Sequence, residues 1–239
     1  MTSMRTKRNS IATIHVTTIA LAFTLALTAH QNLQAADDDI PEFTHDGLQR
    51  VIDSKAALAY IKPGADFSVY DQVMILDCFV AFKKDWQKDY NRDQVSLSGR
   101  INDKDMERMR NDMAELFREV FAEELTENDG YGLVDVPAGN VLLIRPAIID
   151  LEASAPDTRS AGRSYTFVDS AGAASLYIEL YDSVSGEILA RAIDRKADRG
   201  HGMMEWSTQA SNRADAKRML RTWAGWLRER MDEVHESGE

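Results

Sequence analysis

Asp77 lies inside the apolar run "VMILDCFVAF", a setting that could change the chemistry of a carboxylate. Burial disfavours the ionised form and raises the pKa, which is how a carboxyl on a sheet becomes a general acid or base. The plainer reading of the same residue is a carboxylate at a strand end, bonded to a nearby amide. His201 and Glu205 in "HGMMEW" stand four apart, a spacing that would put both on one face of a helix as a metal-binding pair. Gly200 and Gly202 disfavour a helix there, and beyond residue 35 the only histidines are His45, His201 and His235, so no metal site and no cofactor is expected. Asp77 and His201 are the candidate catalytic residues of an enzyme reading, a small hydrolase or metal-dependent enzyme using a sheet carboxylate.

Other reactive constellations are missing from the motifs. "GRSYT" has a serine after Gly162 but no glycine two residues on, so the strained turn of a hydrolase nucleophile is not encoded. "GYG" and "GHG" lack the third glycine of a dinucleotide loop, and no lysine followed by serine or threonine closes a glycine-rich phosphate cradle. Cys78 is the only cysteine; a lone thiol in an apolar run with no basic neighbour packs as a small hydrophobe and cannot staple the chain by an internal disulfide.

The elements that would position these residues follow from periodicity. "QVMILDCFVAF" runs apolar on both alternating faces, as a central strand covered on both sides should. "KKDWQKDYNRDQVSLSGR" reads as a surface loop anchored by Trp86 and Tyr90. Asn102 opens a helix with Asp103 and Asp105 in its first turn. Met106, Met109, Met113, Leu116, Phe117, Val120 and Phe121 give it one apolar stripe, in which the methionines fill core space. "ENDGYG" ends that helix at a glycine, and two strand-like runs follow, "YGLVDV" and "NVLLIRPAIIDLEA". Pro146 cannot donate to a ladder, so the second is expected at a sheet edge or with a bulge.

The small, polar stretch from Ala153 to Ala173 reads as a long loop, with Arg159, Arg163 and Tyr165 as candidates for partner contact. "YIELYDSVSGEILARAIDR" then reads as a hairpin in which Gly186 takes the left-handed conformation and the Asp182 carboxylate accepts loop amides. Pairing Asp182 with Glu187 places Arg191 opposite Ile178 on the apolar face, the one discordant residue. A pocket-lining arginine, an arginine snorkelling past the core edge, and a bulge that slips the register all accommodate it. A last helix from about Asn212 carries Met219, Leu220, Trp223, Trp226, Leu227, Met231 and Val234 on one stripe, with His235 in a fraying tail.

"MTSMRTKRNS" is basic without an acid, and an apolar run from Ile11 to Ala29 follows. Small residues close it at "LQAADDD", so residues 1–35 read as a signal peptide cleaved after Ala35 or Ala36. Five threonines and a histidine dilute the run, which favours cleavage over a retained anchor. Cleavage removes three bases and no acid, taking the net charge from −11 to about −14. So acidic a body is repelled by phosphate backbones and anionic lipid, which argues against nucleic-acid and membrane-surface partners. Residues 36–47 read as a flexible acidic lead-in and 48–236 as one domain.

Several motifs in order resemble a bacterial envelope family, domain-of-unknown-function family 3313. They are the Pro63-Gly64-Ala65-Asp66 turn with Tyr70 after it, Trp86, the Arg145-Pro146-Ala147 strand, and Asp182 with Gly186, Glu187, Asp194 and Arg195 around the hairpin. The likeness runs from about Thr44 to Met231 and implies an exported protein, often lipid-anchored, without an established activity or catalytic residues to carry over. No cysteine follows the leader here, so a lipid anchor is not expected.

The sequence thus predicts an α+β domain: a single mixed, mainly antiparallel sheet of about five strands with two amphipathic helices on one face, the first strand-helix-strand unit crossing over right-handedly. The function expected is that of a periplasmic or secreted accessory or binding protein, acting on an envelope protein partner through the open sheet face or the long loop. A structure in which Asp77, Arg191 and His201 share one cavity would favour the enzyme reading instead.

Overall fold

The structure, a computed structural model of the chain, describes residues 40–94, 99–153, 166–168, 172–197, 205–207 and 209–237. Contacts divide the chain into two units, Met1–Glu42 and Phe43–Glu239, and the second carries the architecture. Its strands are β1 (Gln49–Arg50), β2 (Leu58–Ile61), β3 (Gln72–Ile75), β4 (Phe79–Phe82), β5 (Gly132–Leu133), β6 (Val141–Ala153), β7 (Thr166–Val168), β8 (Gly172–Asp182), β9 (Ile188–Ala197) and β10 (Glu205–Ser207). The helices are α1 (Trp86–Asp93), α2 (Asp103–Thr126) and α3 (Gln209–Ser237).

The α+β class holds, with a larger sheet than the sequence suggests. Eight strands form it in the order β1-β2-β9-β8-β6-β3-β5, with β4 beside β6, and β7 pairs with β10 in a separate ribbon. Pairing is antiparallel from β1 through β6, then parallel where β3 and β4 meet β6 and where β5 meets β3. The expected five strands missed β1 and β2, only two and four residues long and with little periodicity, while the run "YGLVDV" contributes just the two-residue β5.

The apolar run expected as one central strand is two strands, broken at Leu76–Cys78, with only two-residue β5 beyond it. The cause lies in the neighbour. Leu76 N donates to Ile144 O at 2.9 Å, so the backbone groups of Ile144 point toward β3, and those of Pro146, two residues on, point the same way. Pro146 has no N–H to offer, and it falls between the last β3 pair, Ile75 with Ile144, and the first β4 pair, Phe79 with Ala147. β6 is therefore an interior strand that tolerates its proline because the adjoining strand breaks there. Its bulge comes later, between Ile149 and Glu152, where Asp150 has φ 52°.

Helix α2 begins as its sequence requires. The Asn102 side chain accepts from Lys104 N (2.9 Å) and Asp105 N (3.1 Å), and Asp105 Oδ2 accepts from Asn102 N (3.0 Å). Its end differs from expectation: the chain leaves at Glu127, and Asn128 and Asp129, not Gly130, take left-handed backbone. Arg228 of α3 satisfies the end of α2, donating from Nη1 to Glu127 O (3.0 Å) and Leu125 O (3.1 Å). A Cβ on Gly130 would strike both that guanidinium and the Leu125 carbonyl, which reserves the position for glycine.

Phe117, Val120, Phe121 and Leu125 of α2 and Leu220, Trp223 and Ala224 of α3 bury against one sheet face, with Ile144, Ile148, Leu176, Ile178 and Leu180. Met106 and Met109 of the predicted stripe serve a second cluster with Trp86 and Ile101. That cluster makes a helix, α1, where a loop was expected. Trp86 and Tyr90, four apart, stack in series on Phe82 with centroids 4.6 and 5.6 Å apart, and Asn91 brackets the Ile101 backbone with two hydrogen bonds. Helix α3 starts earlier than Asn212, and His235 is docked in its last turn, Nε2 lying 3.0 Å from Tyr70 O. Among the described residues no helix is long and apolar enough to cross a membrane.

Candidate functional site

The β8–β9 hairpin turns as read from sequence. Asp182 Oδ1 accepts from Ser185 N (2.6 Å), Val184 N (3.1 Å) and Ser185 Oγ (2.7 Å), and Gly186 has φ 69°. Asp182 N donates to Glu187 O at 3.0 Å, so the predicted register holds at the turn. It then slips by one. Tyr181 pairs with Ile188 but Leu180 with Ala190, leaving Leu189 as the extra residue of a bulge.

That slip corrects the placement of Arg191. It lies opposite Glu179, not Ile178, and so on the face turned away from α2 and α3. The same slip moves Asp194 opposite Leu176, onto the helix-covered face, where Trp223 Nε1 (2.8 Å) and Ala57 N (3.0 Å) donate to it.

On the far face the side chains converge on Glu179, which is only 8% exposed. Tyr177 and Tyr181, two residues to either side on the same face, donate their hydroxyls to it at 2.8 and 2.7 Å. Arg191 donates from Nε at 3.0 Å, and its Nη2 lies 2.9 Å away. The outer edge of the same guanidinium grips Asp46, Nη2 to Oδ2 at 2.6 Å and Nη1 to Oδ1 at 3.3 Å. Arg145 of β6, 65% exposed, completes the rim with Nη1 3.6 Å from Glu179. Tyr60 of β2 is buried beside Arg191 in the ladder.

The electrostatics of this cluster favour fixed charge over proton transfer. Burial pushes the Glu179 carboxyl upward, but hydrogen bonds from Tyr181, Tyr177 and Arg191 outweigh it and hold the group below its ordinary value. The Arg191 hydrogen bond, with help from Thr44, holds Asp46 far down, and the bond to Asp46 drives Arg191 upward. Burial, then the bond to Glu179, pushes Tyr177 up to about 12. Each of these shifts carries its group away from neutral pH, whereas acid-base catalysis needs a pKa near the working pH. The geometry is one that recognises, holds register or fixes an orientation.

Of the residues singled out by sequence, Arg191 is in this cluster and Asp77 is not. Asp77 sits at the break between β3 and β4, 99% exposed, with Arg118 of α2 3.7 Å away, so the burial that its acid-base reading required is absent. His201, Arg159, Arg163 and Tyr165 lie outside the described residues. Cys78 packs in the main core, and burial pushes its thiol up to about 12. Among the described residues no group of three or more His, Cys, Asp or Glu side chains could hold a metal ion. Sequence reading missed Glu179, Asp46 and Arg145 as a set. The signal available was Glu179 between two tyrosines in "YIELY", an alternation that puts all three on one face.

A family model described as "Protein of unknown function (DUF3313)" matches residues 41–227. The chain belongs to that family. The match spans the whole cluster, from Asp46 through Arg191, and ends within α3. No curated protein matches this DUF3313 chain. Among solved structures it is similar to PelC, seen as a dodecamer from Paraburkholderia phytofirmans, at 10% identity and TM-score 0.35, covering 71% of this chain and 96% of that one. A Xanthomonas campestris protein of family DUF330 is similar at 12% identity and TM-score 0.38 over 74% and 92% of the two chains. A putative neuraminyllactose-binding hemagglutinin homolog from Helicobacter pylori is similar at 10% identity and TM-score 0.37 over 70% and 87%. Scores this low carry no argument about activity.

Proposed function

We propose that this DUF3313 protein is an exported accessory protein of the bacterial envelope that works by binding, and that its binding surface is the sheet face turned away from α2 and α3. The observation that carries this reading is the Glu179 cluster. A buried carboxylate, two tyrosines and two arginines are assembled on that face although the core lies on the other, and each resolved shift keeps its group in one charge state. Tyrosine and arginine are, with tryptophan, the residue types enriched among the strongest contributors to protein interfaces, because each offers a large flat surface with a directional polar end. Export is supported by the basic leader, its apolar run and the small residues before Asp37.

The test is in vivo crosslinking followed by recovery of the protein from a periplasmic extract. A specific envelope partner retained by the native chain and lost on Arg145→Glu supports the reading. A partner profile unchanged by that substitution removes the face from consideration. Mass analysis of the exported protein checks the leader, with an N-terminus at Ala36 or Asp37 as the expected result.

A further inference from the structure

Four charged side chains meet on the open face, and three of them, Arg145, Glu179 and Arg191, come from the central strands β6, β8 and β9. The fourth, Asp46, is delivered from outside the sheet, by the turn that precedes β1. Without it the three sheet residues set two guanidiniums against one carboxylate, a surplus of one positive charge centred on Arg191, which is 14% exposed with Asp46 in place. A partly desolvated surplus cation calls for an anion. Asp46 supplies one in the manner of a ligand carboxylate, both oxygens on the two terminal nitrogens of one arginine.

The segment that brings Asp46 is a light strap. Thr44 and Leu48 close its turn through Thr44 N to Leu48 O (2.8 Å) and Leu48 N to Thr44 Oγ1 (2.9 Å), and Gly47 has φ 82°. Leu48 is fully buried, while Phe43, His45 and Gly47 are exposed, and the strand that follows has two residues. The Asp46–Arg191 salt bridge, the buried Leu48 and the β1–β2 ladder hold the strap to the sheet.

We propose that Asp46 is a displaceable built-in occupant of an anion-recognition site centred on Arg191. An acidic peptide segment of a partner, with an aspartate followed two residues on by an apolar side chain, takes its place when the strap lifts. This rests on the reading of the open face as the binding surface and adds its ligand chemistry and its regulation. A tethered occupant competes at high effective concentration, so the closed strap lowers the apparent affinity for any ligand in trans.

The test uses the full exported chain and a fluorescent peptide copying residues 43–50, FTHDGLQR, with a counterpart carrying asparagine in place of its aspartate. The native protein binds the peptide weakly, and Asp46→Asn binds it about tenfold more tightly, because the occupant has lost its charge. Gly47→Ala, which strains the strap turn and leaves every charge in place, moves affinity the same way and keeps the test alive should Asp46→Asn misfold. Arg191→Lys removes the gain, and the asparagine peptide shows none. Equal affinity in the native protein and both strap variants overturns the proposal, as does equal binding of the two peptides. Strap variants that form dimers by sedimentation and ignore the peptide overturn it too, assigning the face to a second copy. If Arg145→Glu abolishes partner capture while the strap variants change nothing, the face is a binding surface and the strap is not its gate.

Discussion

The two faces of the sheet each bury a carboxylate, and they satisfy it by different chemistry. Under α2 and α3, Asp194 is met by the indole N–H of Trp223 and the Ala57 amide, with Lys196 at 3.4 Å, among apolar side chains. On the opposite face Glu179 is met by two phenols and a guanidinium that is itself tied to Asp46. The first arrangement joins three elements, the chain before β2, strand β9 and helix α3, and so behaves as a tie within the fold. The second gathers residues mostly from neighbouring strands and leaves an arginine at its rim. A carboxylate buried beneath helices stabilises; one buried beneath tyrosines at a surface can also recognise.

Substitutions that separate these roles differ in size. Phe117→Ala removes a fully buried ring stacked on Phe121 at 3.9 Å and should cost about 3–5 kcal/mol in denaturant unfolding, the scale of the helix-covered core. Asp194→Ala leaves the Trp223 and Ala57 donors unpaired in that core and should cost about 2–3 kcal/mol. A loss equal to that of a surface substitution would show that the tie is idle.

Glu179→Gln should cost about 1–2 kcal/mol at neutral pH, and its effect should depend on pH. The folded value of Glu179 is depressed, so its contribution is complete above the ordinary carboxyl value of 4.5 and is lost as pH falls through the lower folded value. Urea midpoints from pH 7 to pH 3 should therefore fall less steeply for the variant than for the native protein. Parallel curves would mean that the cluster stores no charge-dependent stability. Asp77→Asn is the smallest expected change, within about 0.5 kcal/mol, because its pair with Arg118 is exposed to solvent and screened by water. A larger loss, or loss of partner capture with the fold intact, would return Asp77 to the list of functional residues.

Legibility tracked the range of the interactions. The Asn102 cap, the Asp182–Gly186 turn and the helix stripes depend on residues within a few positions of one another, and they appear as read except that Met106 and Met109 of α2 serve the second cluster. Helix α1 was obscured because its signal is only two aromatic residues, and its stability comes from Phe82 and Ile101 on either side of it. The break between β3 and β4 could not be read from the run itself, since its cause is Pro146 on another strand.

The amino-acid sequence alone determined the basic N-terminus, the acidic balance, the single cysteine that rules out an internal disulfide, the α+β class and the hairpin turn, because composition and short-range pattern suffice for each. Tertiary structure decided which face the hairpin's charges occupy. One extra residue at Leu189 inverts the pleat beyond it, exchanging Arg191 and Asp194 between water and core. With a side-chain period of two, a single-residue slip reverses every position that follows, and only the packing partners on both faces select where the slip occurs.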